Sequence, residues 1–119
     1  ASRSKIEVQN MAFKTVGILN QAGVMTAITT DHPVSLIASL PLCAGLAVKS
    51  GLALEEGYKA ITIHPAIICG VADRVGSLEK GKDADIAIFT GNPMEVFSET
   101  LYTIIDGQIV YEAGSGDGV

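Results

Sequence analysis

The sequence predicts an α/β chain in two parts: a helix–strand unit followed by short helices, then a small antiparallel β piece. Three observations carry this. Glu7 to Ala22 has helical spacing and runs through Gly23 straight into the apolar stretch Val24 to Thr30, which is half of an α/β repeat. Between about Pro41 and Gly70, apolar runs are punctuated by Pro where helices open and by Gly where they stop. Near the end, Asp106-Gly107 separates two apolar runs, a strong short-range hairpin signal.

In the first helix Val8, Met11, Ala12, Val16 and Leu19 fall near one face, and Gly23 supplies the stop. Val24 to Thr30 reads as a buried strand ending in Asp31-His32-Pro33. Its alternation turns Met25, Ala27, Thr29 and Asp31 one way, and Val24, Thr26 and Ile28 toward a helical layer. A loop leads to a helix from about Pro41 to Lys49, with Gly51 just past its end. A second helix is expected from about Glu55 to Ile63. A third opens at Pro65, with His64 capping it and Gly70 ending it. Asp73 to Asp85, dense in Gly, Lys, Asp and Glu, reads as a solvated connection. Strands are expected at Ile86 to Thr90, Leu101 to Ile105 and Gln108 to Glu112, with a turn at Gly91-Asn92-Pro93. Beyond Ala113 the tail of Gly, Ser and Asp reads as disordered. The composition shift places the division at residues 1–71 and 72–119.

The chain has 119 residues, one domain's worth at most. Its hydrophobic fraction of 48% is high for a small independent domain. Two explanations fit: a tight oligomer, or apolar faces that pack on neighbours outside this sequence. The net charge is −5 with no basic run, which argues against nucleic-acid binding. Val34 to Val48 is apolar but too short to span a bilayer. The start, Ala1-Ser2-Arg3-Ser4-Lys5, lacks the apolar region of a secretory signal. Cys43 and Cys69 have no metal-type spacing and read as reduced core residues, as in a cytoplasmic protein.

These segments, in this order, resemble the C-terminal portion of a metal-dependent amidohydrolase, closest to the imidazolonepropionase-related branch. The resemblance rests on several stretches. They are Ala22-Gly23-Val24, Thr29-Thr30-Asp31-His32-Pro33, the helix from Gly51 to Ala60, and Ile61-Thr62-Ile63-His64-Pro65-Ala66. The most specific is Gly76-Ser77-Leu78-Glu79-Lys80-Gly81-Lys82-Asp83-Ala84-Asp85; Asn92-Pro93 and Asp106-Gly107 also match. His64 stands where the family usually has Asn. The resemblance implies the last helix–strand unit of a (β/α)8 metal-hydrolase barrel, plus the C-terminal share of a small β-sandwich. That is an incomplete fold: the chain has two histidines, His32 and His64, and no His-x-His pair.

The implied activity is hydrolysis of a C–N bond in a small, non-peptide amide, linear or cyclic, by metal-activated water. The implied cofactor is a divalent metal, zinc being the first choice, held mainly by histidines outside this sequence. Asp31 would be metal ligand and proton acceptor, because bound metal lowers the pKa of water to about 7 and an adjacent carboxylate can then take its proton. The competing role for Asp31 is a cap on the loop that follows. His32 either orients substrate or packs the loop. The expected partners are the remainder of an amidohydrolase chain or a second copy of this one, with the isolated chain inactive. The rival function is a non-catalytic oligomeric scaffold or binding module. Glu55-Glu56 suits a helix start, and Asp83 and Asp85 suit a solvated loop. The glycines around Lys80 and Lys82 lack phosphate-loop spacing.

Overall fold

The computed structural model describes residues 13–33 and 36–114. Val8, Met11 and Ala12 of the first helical face, and the end of the tail, lie outside the described residues. Four helices come first: α1 at residues 13–21, α2 at Leu40–Lys49, α3 at Leu54–Ala60 and α4 at Ile63–Ile68. A 3-10 turn, Ile37–Ser39, leads into α2. Strands β1 (Ile86–Phe89), β2 (Thr100–Ile105) and β3 (Gln108–Glu112) form an antiparallel sheet in the order β1-β2-β3.

Three helices stop in the same way. Gly23, Gly51 and Gly70 have φ of 85°, 125° and 77°, the left-handed region that a side chain would penalise. The next N–H then returns to a carbonyl in the last turn: Val24 to Leu19 at 2.9 Å, Leu52 to Ala47 at 3.0 Å, and Val71 to Ala66 at 2.8 Å. This is the Schellman arrangement, and it satisfies carbonyls that the helix end leaves open. At α2 the returning residue, Leu52, is itself buried.

Helix α3 has no such glycine and ends earlier than its spacing predicts, at Ala60 rather than Ile63. Ile61 and Thr62 turn the chain instead; the Thr62 hydroxyl donates to the Tyr58 carbonyl at 2.7 Å. Helix α4 therefore starts at Ile63 with Thr62 in the capping position, so His64 sits inside the first turn and does not cap it.

The buried residues are mostly small: Ala44 and Ala47 on α2, Ala60 on α3 and Ala66 on α4, joined by Leu52, Thr30 and Met94. Ala44 and Ala47 stand one turn apart, as do Gly57 and Ala60 on α3. Small residues let the backbones approach. A Cβ on Gly57 would lie 2.6 Å from Val48 Cγ2 and 3.0 Å from Met94 Cε.

Met94 carries the β part onto the helices. It is buried against Gly45 and Gly57, and its N–H donates to Asn92 Oδ1 at 2.9 Å. The Tyr58 hydroxyl donates to the same oxygen at 2.7 Å. Asn92 thus ties the turn before β2 to α3, and this contact crosses the division placed near residue 71.

The hairpin is as the sequence predicts. Ile105 pairs with Gln108 across a two-residue turn. Asp106 and Gly107 both have positive φ, 52° and 75°, as a type I′ turn requires. The acidic pair of the connection is structural: Asp83 accepts from Arg74 at 2.9 Å, and Asp85 accepts the Asp106 N–H at 2.8 Å.

Two expectations need correction. Val24 to Thr30 forms no ladder, because none of the described residues lies alongside it as a strand; a strand is completed by its neighbours. Cys69, the residue that ends α4, is exposed rather than in a core, and Cys43 is half-buried; both cysteines are free. Among the described residues no helix is long and apolar enough to cross a membrane.

Candidate functional site

The segment 24–30 lacks a ladder but keeps a strand's two-residue alternation. Thr26 and Ile28 are half-buried and Thr30 is buried, while Met25, Ala27, Thr29 and Asp31 are exposed. Met25, Ala27, Thr29 and Asp31 are exposed and Thr26 and Ile28 half-buried as the sequence predicts, but Val24, expected toward the helical layer, is 46% exposed. The far face is bare among the described residues.

Two hydrogen bonds hold this segment to the helices. The Ile28 N–H donates to the Ala60 carbonyl at 2.9 Å, a group left free by the early end of α3. His64 Nδ1 lies 3.3 Å from the Thr26 carbonyl oxygen. A carbonyl can only accept, so Nδ1 carries the proton in this contact. Below them, the Asn20 amide on α1 donates to Glu56 Oε1 at 2.7 Å, and Lys59 Nζ is 3.3 Å from Glu56 Oε2. Glu56 thus braces α1 to α3. Its carboxyl sits below the usual carboxylate range because of the Asn20 hydrogen bond first and the Lys59 ammonium second.

Asp31 stands at the end of the bare face. Its φ of 53° is left-handed, which Asp tolerates better than most residues. Its N–H donates to Thr29 Oγ1 at 3.2 Å. Among the described residues its carboxylate has no hydrogen-bond or ion-pair partner. No described acceptor contact supports the capping role. His32 follows, with a cis peptide bond to Pro33. The Ile37 N–H donates to its Nδ1 at 3.1 Å, so Nδ1 is unprotonated and Nε2 bears the hydrogen. His32 therefore anchors the entry to the 3-10 turn, and its Nε2–H is the donor left over.

Asp31 and His32 line none of the described grooves. A groove of about 660 Å³ lies elsewhere, among Tyr58, Pro65, Cys69, Leu78 and Phe89. Two contributors escaped the sequence reading. His64 was visible as a departure from the segment it resembles, but its contact with Thr26 bridges 38 residues. Asn92 was read as a turn residue, and nothing local shows that its side chain takes two donors.

The amidohydrolase family model matches residues 2–110, nearly the whole chain. This chain belongs to the amidohydrolase family. It corresponds to a C-terminal part of such a protein. The imidazolonepropionase of Thermoplasma acidophilum is 30% identical over 114 residues, which is 88% of this chain and 28% of that protein. That of Geobacillus kaustophilus is 46% identical over 74 residues, 60% of this chain and 18% of the relative. A crystal structure of an amidohydrolase from Thermotoga maritima superposes with a TM-score of 0.81 at 36% identity, covering 84% of this chain and 26% of that one. The amidohydrolase segment thus spans about a quarter of the length of the relatives it matches.

Whether this segment's own residues fit a metal can be read from its donors. Among the described residues no three metal-ligating side chains cluster. Asp31 fits one coordination position, as an exposed carboxylate. A structural or catalytic zinc needs three or four protein ligands, so the described residues alone do not make a site.

Proposed function

We propose that this chain is the C-terminal part of a metal-dependent amidohydrolase that cleaves the C–N bond of a small, non-peptide amide, linear or cyclic. In this reading 24–30 is the last strand of a (β/α)8 barrel, β1 to β3 are the C-terminal share of a β-sandwich, and neighbours outside this sequence complete both. The observation that carries it is Asp31: a carboxylate with no partner among the described residues, at the end of a two-faced segment whose far side is bare among them, in a chain of this family.

A divalent metal, zinc by preference, would supply an acidified water at this site. Asp31 would hold one coordination position and accept the proton of the attacking water. A strand end suits that role because it limits the carboxylate's movement. His32 would offer Nε2–H to a substrate carbonyl, its Nδ1 being engaged by Ile37. The remaining ligands are assigned to residues beyond this sequence.

The test uses the whole protein that carries this segment. It should hydrolyse at least one member of a panel of lactams, cyclic ureides and linear amides. Chelation should abolish the activity and zinc restore it. Asp31→Asn should lower kcat by about 10²- to 10⁴-fold, the usual worth of a positioned proton acceptor. No hydrolysis across the panel, or full activity in Asp31→Asn, overturns the proposal.

One observation favours a second reading, the non-catalytic oligomeric scaffold. Large apolar side chains remain outside, with Phe97 94%, Val96 78% and Leu36 67% exposed. Patches of this kind are covered in the working molecule. Sedimentation of the 119-residue chain should show association that salt does not weaken, because apolar contact is unscreened. A monomer at all concentrations counts against that reading.

A further inference from the structure

We infer that His64 is a positioning residue for Asp31: its ring, with the Ala60 carbonyl, replaces a neighbouring strand along one edge of segment 24–30 and fixes how far the carboxylate projects. The inference rests on the amidohydrolase reading only for what Asp31 does. The brace itself stands on geometry.

In an extended chain the N–H and C=O of alternate residues point to the same edge. Thr26 C=O and Ile28 N–H therefore lie on one edge, two residues apart. A partner strand would meet them with one donor and one acceptor. Here the Ala60 carbonyl takes the Ile28 N–H at 2.9 Å, and His64 Nδ1–H gives to the Thr26 carbonyl at 3.3 Å. The two supports come from the end of α3 and the first turn of α4, four residues apart, and they converge because α3 stops at Ala60. The path to the carboxylate is short. Thr30 is buried, and Thr29 Oγ1 accepts the Asp31 N–H.

The alternatives for His64 are a helix cap and a metal ligand. The cap position belongs to Thr62. Nδ1 is taken by Thr26, and no cluster of ligating groups surrounds the ring among the described residues. A part-buried carbonyl that loses its donor is left unpaired at a cost, and an unbraced segment end moves.

Asparagine and leucine have nearly the same shape, but only asparagine places a donor nitrogen where Nδ1 stands. The experiment compares His64→Asn and His64→Leu in the whole protein. His64→Leu should speed amide hydrogen exchange at Ile28 by about three- to tenfold, the worth of one hydrogen bond, and His64→Asn should restore protection. Under the amidohydrolase reading, His64→Leu should lower kcat by a similar factor with KM within about twofold, and His64→Asn should recover it. Nitrogen-15 spectra of the unaltered protein should show a proton on His64 Nδ1. An unprotonated Nδ1 overturns the inference even where His64→Leu fails to fold, and so does equal Ile28 exchange in both variants. If the exchange follows the prediction while no amide is hydrolysed, the brace stands and the amidohydrolase activity falls.

Discussion

Single residues in this chain mostly serve to hold elements in place. Glu56 is the plainest case, because an amide from α1 and an ammonium on its own helix meet at one carboxylate. Its pKa is lowered from 4.5, chiefly by the Asn20 hydrogen bond. A carboxyl depressed on folding contributes stability that is complete above its unfolded value and is lost as pH falls through the folded one. Asn20→Ala should therefore raise the Glu56 midpoint toward 4.5 in a carboxyl NMR titration. It should also reduce the loss of stability on acidification below that pH. An unmoved midpoint would show that Asn20 is not the cause. Asp31 differs from Glu56 in having no described partner.

At the scale of elements, the sequence was most legible where one residue type meets one backbone demand. Gly23, Gly51 and Gly70 stop helices because they alone enter the left-handed region without strain. Asp106-Gly107 turns the hairpin for a related reason. Segment 24–30 was legible in its two faces and not in its pairing, since none of the described residues pairs with it as a strand. The end of α3 was misjudged because helical spacing persists past Ala60, whereas the Thr62 hydroxyl and the start of α4 decide it. The α2–α3 contact was hidden as well, because Gly57 lies inside a helical run and nothing local shows what packs on it. Its replacement makes a sharp test. Gly57→Ala improves helix propensity by about 1 kcal/mol, but the new Cβ would meet Val48, whose β-branched side chain has little freedom to turn. Overpacking of this kind costs about 1–3 kcal/mol, so thermal unfolding should shift downward. Val48→Ala in the same chain should recover part of the loss. A higher melting point for Gly57→Ala alone would refute this picture of the contact.

The whole molecule is an assembly of close backbones with few large side chains inside. Family membership follows from nearly the entire chain, while the site it would serve needs ligands that the described residues do not contain. That division explains why the candidate site was only half readable. Asp31 and His32 are local features at the end of segment 24–30, but no cluster of three ligating groups includes them among the described residues. The alanine-built interior has a further, calorimetric consequence. The heat capacity released on unfolding grows with the apolar surface newly wetted. In this chain Phe97, Val96 and Leu36 are wet from the outset. The isolated chain should therefore melt with an increment below about 10 cal/mol/K per residue, against the 12–15 of ordinary domains, and over a broad range of temperature. Joined to whatever covers those side chains, it should regain both the larger increment and a sharp endotherm.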